Sequence, residues 1–449
     1  MKLVPKFIRR RVTHRPDLLN IIDNISWLFL DRTLRMGVGL LLGVWVARHL
    51  GPSQFGVLSF AVAFTGLFGA LANLGLQSTV MREIVRNPKS AGIVLGSAAT
   101  LQILGGLSSY FLMLGVITYL RPDDSLTRSV VIILGSIVLF KASEVPLYWF
   151  ESQVQSKYAV WVQNSVFLSF ALIKTILILN DYPIHAFAWA MLGEAIIVAL
   201  LLFMVMNRYG PAIFSLGLSV ICLKELLKDS WPLAVSGVAV MIYMKIGQIM
   251  LGQMVDEKAV GIYTAAVNIS EVWYFIPMAI VSSVAPSIME AKKHNNELYL
   301  SRLQKLYNIM VWSSLAIAIP MTVVATPIVE LLFGTTYKDG GIILAIHIWA
   351  SIFVCLGVVS SQYLLAENKQ MISLQRTLAG MFINIGLNLI LIPIYGPTGA
   401  AISIVCSQAF SALFFDLIQE FTRPMFFMKI QSFNLKKIIT NYKLQITNK

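Results

Sequence analysis

Uninterrupted apolar stretches recur along the chain from Asn24 to Phe421, with only short polar connectors between them. A helical bilayer crossing takes about 20 residues. On that measure the pattern predicts twelve helices near 24–48, 54–79, 91–120, 127–150, 157–180, 184–207, 230–254, 259–288, 305–332, 340–366, 371–393 and 397–421. The runs are continuous rather than alternating, and Leu, Ala, Met and Gly dominate them, which excludes a transmembrane β-barrel. The expected fold class is an all-α polytopic membrane protein. Between the first two helices Gly51-Pro52 breaks the backbone, so that the second starts directly after the first.

Two short matches suggest an internal repeat. Residues 55–61 resemble 260–266, and residues 162–166 resemble 374–378, with Lys157 falling over Lys369. The two offsets differ by only seven residues, and each carries one half of the twelve-helix pattern onto the other. Six helices per half is an even number, so the halves share one membrane orientation. The expectation is two parallel six-helix lobes around a central cavity, an arrangement suited to alternating access. Its divisions are an N-terminal lobe over 1–210, a cytoplasmic linker over 211–229, a C-terminal lobe over 230–423 and a basic cytoplasmic tail over 424–449.

Composition agrees with the pattern. Of 449 residues, 57% are hydrophobic and 13% charged, and the mean hydropathy is +0.75; a soluble domain carries roughly 25% charged residues. The net charge of +13 does not indicate nucleic acid, because the Lys and Arg are scattered through short connectors. Twenty-five of them fall on the termini and one set of alternate connectors, five on the other set, and five within spans. By the positive-inside rule both termini are cytoplasmic. Cys222, Cys355 and Cys406 form no metal-ligand or disulfide pattern. The basic N-terminus precedes an apolar run of full bilayer length with no small-residue cleavage site, which predicts a retained first helix rather than a signal peptide.

A base at mid-membrane costs roughly 2.5 to 3.5 kcal/mol, so it lines a cavity or finds a partner. The five in question are Arg32 and Arg35 in the first helix, Lys141 in the fourth, Lys174 in the fifth and Lys245 in the seventh. Arg32 and Arg35 occupy one helical face and point to anion binding; alternatively, Arg35 pairs with Asp31 at i, i+4 and both snorkel to the cytoplasmic side. Lys245 lies about fifteen residues into its helix, on a face shared with Met241, Gln248 and Gly252 that offers no acid. Lys141 and Glu144 are spaced to neutralise one another. Lys174 has no carboxylate within a turn and either pairs across helices or snorkels. In the eighth helix Thr264, Asn268 and Glu271 share a face, as a polar lumen stripe or as interhelical hydrogen-bonding groups. Glu271 and Glu194 are the candidates for ion or proton coupling. Taken together, Arg32, Arg35, Lys245, Lys174 and Lys141 predict a cationic cavity suited to a lipid pyrophosphate. Gln248, Asn268, Glu271 and Glu194 would be its polar lining. An inside-negative potential favours outward movement of an anion by about 2.3 kcal/mol per charge per 100 mV.

Neither a phosphate-binding Gly-x-x-x-x-Gly-Lys-[Ser/Thr] loop nor a His-Glu-x-x-His or Gly-x-Ser-x-Gly motif occurs, and the five histidines are dispersed. No cofactor, metal or catalysis is expected, since the outward connectors are too short to hold a catalytic loop.

Several segments carry a family resemblance: Asn24-Ile25-Ser26-Trp27; Arg48-His49-Leu50-Gly51-Pro52-Ser53-Gln54-Phe55-Gly56; Leu74-Gly75-Leu76 with Arg82-Glu83; Pro146-Leu147-Tyr148-Trp149-Phe150; and Val260-Gly261-Ile262-Tyr263-Thr264 with Pro277 and Pro286. In these the chain resembles the O-antigen and polysaccharide flippases of the multidrug, oligosaccharidyl-lipid and polysaccharide exporter superfamily, over roughly residues 20–420. Glu151-Ser152 departs from the Gln-Gly of many relatives. The resemblance implies translocation of undecaprenyl-pyrophosphate-linked repeat units from the cytoplasmic to the periplasmic leaflet of a bacterial inner membrane, with membrane lipids and a polysaccharide polymerase as partners. A drug or cation antiporter of the same superfamily and a lipid II flippase are the rivals within transport. A membrane-bound glycosyltransferase or polymerase is the rival outside it.

Overall fold

The computed structural model describes residues 16–434; the basic residues before Pro16 and the tail lysines Lys436, Lys437, Lys443 and Lys449 lie outside the described residues. Among the described residues there are helices and short 3₁₀ turns and no strand. The chain begins with α1 (Pro16–Asn73), α2 (Leu76–Arg86), α3 (Ala91–Leu120), α4 (Ser125–Gly135), α5 (Glu144–Ser152), α6 (Lys157–Leu179), α7 (Ile184–Tyr209) and α8 (Val220–Met254). It continues with α9 (Glu257–Val272), α10 (Phe275–His294), α11 (Asn296–Phe333), α12 (Gly340–His347), α13 (Ala350–Ala366), α14 (Gln370–Tyr395), α15 (Pro397–Ala412) and α16 (Arg423–Ser432). Eleven stretches of the described residues are long and apolar enough to cross a membrane. The first of them, Phe29–Arg86, contains the break predicted at Gly51, whose φ of 69° and ψ of 171° are non-helical. Glycine tolerates that conformation and Pro52 has no N–H to continue the ladder.

Several predicted helices are interrupted, the second of them at Leu74 and Gly75, between α1 and α2. The fourth winds as a 3₁₀ turn over Ser136–Ser143 between α4 and α5. The eighth breaks at Trp273 and Tyr274, four and three residues before Pro277, because a proline ring collides with the carbonyl four residues back. The tenth breaks between His347 and Ala350. The seventh helix instead begins earlier, at Val220, so half of the predicted linker is helical; Arg82 Nη2 meets Asp229 Oδ2 at 2.7 Å and Leu226 is buried.

Polarity is arranged as a bilayer demands. Leu172, Val323 and Leu331 are exposed, whereas Ser97, Gln102, Asn388, Ser403 and Ser407 are buried. Polar side chains therefore bond to one another or to backbone inside the bundle, as Asn384 Nδ2 does with Ser407 Oγ at 3.0 Å, and apolar ones face outward. The described residues fall into two compact units that divide between Met241 and Ile242. In the first, Leu76, Val80 and Ile84 of α2 pack with Leu95 and Ala98 of α3 and Val145 of α5. In the second, Tyr299, Tyr307 and Met310 of α11 pack with Leu356 and Val359 of α13.

Two bases counted as connector or tail charges are inside the second unit. Arg376 is buried in α14, where Nη2 donates to Ser361 Oγ at 3.0 Å and to Gly357 O at 3.2 Å. Lys429 of α16 is fully buried; its Nζ donates to Asp416 Oδ2 at 2.5 Å and to Ala412 O at 2.6 Å. Burial pushes the Lys429 ammonium down to about 8, against the pull of Asp416. Removing one member of such a pair strands the other charge, at a cost of roughly 3–5 kcal/mol. Lys429→Met is thus expected to lower the thermal midpoint in detergent strongly, and adding Asp416→Leu to restore most of it. Equal losses in the single and double variants would show that the pair is not the source.

Candidate functional site

The first unit holds a cavity of about 510 Å³. Val62, Thr65, Gly66, Gly69, Ala70 and Asn73 of α1 form one wall, and Leu233, Ala234, Gly237 and Met241 of α8 another. Much of the space exists because small residues face it. A Cβ on Gly66 would stand 3.1 Å from the Met241 methyl, and one on Gly69 3.8 Å from Cε of Lys141. Gly75 caps the cavity at φ 65°, and a Cβ there would lie 2.5 Å from the backbone N of Ala234. Only glycine permits this approach of α8.

A second cavity, of about 320 Å³, is lined by Ser143, Glu144, Glu194 and Val198 and shares Ile137, Lys141 and Met191 with the first. Lys141 therefore stands in the walls of both. The 3₁₀ winding explains its pairing, since i and i+3 eclipse in that helix: Lys141 Nζ meets Glu144 Oε1 at 2.7 Å. The other carboxylate oxygen, Oε2, accepts from Asn73 Nδ2 at 2.8 Å, from Tyr148 OH at 2.9 Å and from Gln102 Nε2 at 3.4 Å. Gln102 also donates to Tyr148 OH at 2.7 Å. Asn73, Gln102 and Tyr148 were not among the sequence candidates; a Gln in the middle of the apolar third helix was the signal available.

The remaining candidates are distributed over both units. In the first, Lys174 Nζ of α6 meets Glu194 Oε2 of α7 at 2.8 Å, which selects the cross-helix alternative for Lys174. Arg35 Nε donates to Asp31 Oδ1 at 2.8 Å, and its guanidinium lies 5.4 Å from the Phe167 ring centroid. Its Nη2 is buried and has no hydrogen-bond partner among the described residues. Arg32 is exposed. In the second unit Lys245 Nζ stands 3.8 Å from Glu271 Oε2, so the expectation that Lys245 lacks an acid is corrected. Its partner comes from α9, which spacing along α8 cannot reveal. Gln248 is buried one turn after Lys245, and Asn268 is half-buried one turn before Glu271. His347, one of the five dispersed histidines, is buried at the end of α12 with Nδ1 2.9 Å from Ser270 Oγ. Four of the five candidate bases thus have a carboxylate within 4 Å, and the purely cationic cavity becomes a set of ion pairs. Among the described residues no group of three or more His, Cys, Asp and Glu is placed to hold a metal.

The sequence model of the polysaccharide biosynthesis protein family matches residues 21–292. The chain belongs to that family. The family member is 23% identical over 404 residues to Agl15 of Haloferax volcanii, named as a probable low-salt glycan biosynthesis flippase, covering 85% of this chain and 80% of the relative. It is 20% identical over 402 residues to the capsular polysaccharide biosynthesis protein CapF of Staphylococcus aureus, covering 86% and 96%. Among solved structures it is similar to an inward-facing multidrug resistance MATE transporter of the MOP superfamily, with a TM-score of 0.73 at 18% identity over 90% of this chain and 95% of that one. It is also similar to the lipid II flippase MurJ, with a TM-score of 0.70 at 14% identity over 92% of each. The chain thus has the fold of the MOP-superfamily transporters and is a multi-pass membrane protein.

The glycines that open the larger cavity give a direct test of access to it. With the three cysteines replaced by serine, Gly69→Cys is expected to react with a small charged methanethiosulfonate reagent, while Ala98→Cys in the buried core stays unmodified by mass spectrometry. Equal protection of both positions would show the cavity closed to water.

Proposed function

We propose that this family member is a flippase for lipid-linked glycan intermediates and works by alternating access without catalysing a reaction. The observation that carries the proposal is the asymmetry of the Lys141–Glu144 pair. Lys141 lines both cavities, whereas Glu144 lines only the smaller one. From the larger cavity the pair presents its cationic member. A lipid-linked intermediate combines an apolar tail, a phosphate or pyrophosphate and a polar glycan. Apolar walls from α1 and α8 flank one base that an anion can draw from its carboxylate. Keeping that base paired lowers the cost of holding it in the bilayer between cycles.

Family membership and the two glycan-biosynthesis relatives support the substrate class. Within it, the sequence resemblance favours an undecaprenyl-pyrophosphate-linked O-antigen or other polysaccharide repeat unit. The proposed setting is a bacterial inner membrane with both termini cytoplasmic and a polysaccharide polymerase receiving the product. Arg35, Arg32, Lys174 and Lys245 are proposed as further contacts along the path, with Gln248 and Asn268 on sugar hydroxyls and Glu194 and Glu271 as the groups for ion coupling. A drug or cation antiporter of the same superfamily is the second reading, favoured by Glu144 and Glu194 in the wall of the smaller cavity.

In a deletion strain, lipid-linked repeat units should accumulate on the cytoplasmic side and surface polysaccharide should fall. Lys141→Ala, confirmed in the membrane, should restore export at least about tenfold less well than the native chain, the size of one charge-assisted contact. Lys141→Arg should restore part of it. Unchanged surface polysaccharide on deletion, with lost resistance to cationic drugs, would select the antiporter instead.

A further inference from the structure

The C-terminal helix α16 is built inside out for an element bathed in water. Its inward face is Met425, Lys429 and Ser432, all fully buried, so a lysine lies against the protein. Its outward face carries Phe427, 58% exposed, and Ile430, 45% exposed, with Phe433 at the flank. A helix facing water would present its lysine outward and its aromatics inward. The orientation is fixed by several bonds besides those of Lys429. Gln304 Nε2 donates to Met428 O and Ser432 Oγ, each at 2.9 Å, and Trp312 Nε1 donates to Ser432 O at 3.1 Å. The outward face is therefore not a helix caught in one of several rotations.

Two observations identify what covers that face. The last stretch long and apolar enough to cross a membrane, Pro397–Leu417, ends only a few residues before α16 begins at Arg423. The chain from Phe421 to Lys449 contains six Lys and Arg and no Asp or Glu. Lys429 is neutralised by Asp416, and the other five bases, Arg423, Lys436, Lys437, Lys443 and Lys449, belong to a stretch of sequence with no acid. Four to eight bases directly following a membrane helix match a leaflet rich in anionic lipid. Apolar side chains on a helix at that level match the acyl boundary beneath the headgroups.

We propose that α16 is a membrane-surface element: its Phe427–Ile430 face lies in the lipid, and the bases of the sequence from Arg423 onward attract anionic phospholipid headgroups. The Lys429–Asp416 pair serves this arrangement by holding the helix with its apolar side outward. The partner is a bilayer of defined charge rather than a protein.

The test uses the full chain with its native cysteines replaced by serine, Phe427→Cys labelled with bimane, and bilayers of phosphatidylcholine with a minority of phosphatidylglycerol. The nitroxide quencher is placed near the top of the acyl chain of either lipid. Bimane is expected to be quenched by both, and several-fold more strongly when the nitroxide is on phosphatidylglycerol at the same mole fraction. Lys436→Gln with Lys437→Gln should remove that preference and leave the quenching itself. Failure of both labelled lipids to quench would overturn the proposal, and disulfide linkage between Phe427→Cys chains in that case would identify a second copy on the face. Equal quenching by the two lipids, unaffected by the lysine changes, would overturn the headgroup assignment.

Discussion

The price of a charge in hydrocarbon governs much of this molecule. An isolated base in a bilayer forfeits several kilocalories per mole of solvation, and a nearby carboxylate recovers part of that only if the geometry is close. The chain meets the demand in two ways. Arg35–Asp31 and Lys141–Glu144 lie on one segment, at i, i+4 and i, i+3. Lys174–Glu194 joins α6 to α7, and Lys245–Glu271 joins α8 to α9. The second kind does more than neutralise. Sliding or rotating one helix against the other would strand both charges, so each pair fixes the register of two helices that otherwise meet through interchangeable apolar surfaces.

The backbone obeys the same constraint. An interrupted helix in a bilayer leaves carbonyls and N–H groups that must be satisfied inside the protein. The breaks at Gly51 and at Ser136–Ser143 both lie in the first unit. A 3₁₀ turn keeps its hydrogen bonds while changing the pitch, which permits an interruption without exposing polar groups to lipid. It also stacks Lys141 over Glu144. Regular α-winding would set i and i+3 off by about 60°, so the local winding and the electrostatics of the site are one feature.

What the sequence disclosed follows from the same physics. Apolar stretches of bilayer length are long, uniform signals, and they located most of the membrane helices to within a few residues. Gly51-Pro52 was legible because two residue types act at once on the local backbone. Lys141–Glu144 was legible because both partners share a segment. Glu271 as the partner of Lys245 was not, because residues 26 positions apart come together only through packing of α8 on α9. Arg376 and Lys429 were misplaced for a related reason: near the end of an apolar run, a base reads as a connector charge. Whether it points to water depends on Ser361, Gly357 or Asp416, which lie elsewhere in the chain.

The pairs differ in how readily they give up their base. Glu144 receives Asn73, Tyr148 and Gln102 in addition to Lys141. Withdrawing Lys141 therefore leaves a carboxylate that still accepts three hydrogen bonds. The penalty that usually follows from breaking a buried ion pair is the stranded charge, and here the remaining donors offset part of it. Lys429 and Asp416 lie at the other extreme: both are fully buried, and Oδ1 of Asp416 has no hydrogen-bond partner among the described residues. Taking Lys429 away would leave Asp416 badly served. The first pair has the properties of a site that can exchange its base with an arriving anion and recover it afterwards, and the second those of a fixed joint. Under the proposed function, this difference in the carboxylate's other partners, more than the presence of a lysine, would separate a base suited to transport from one that holds the fold.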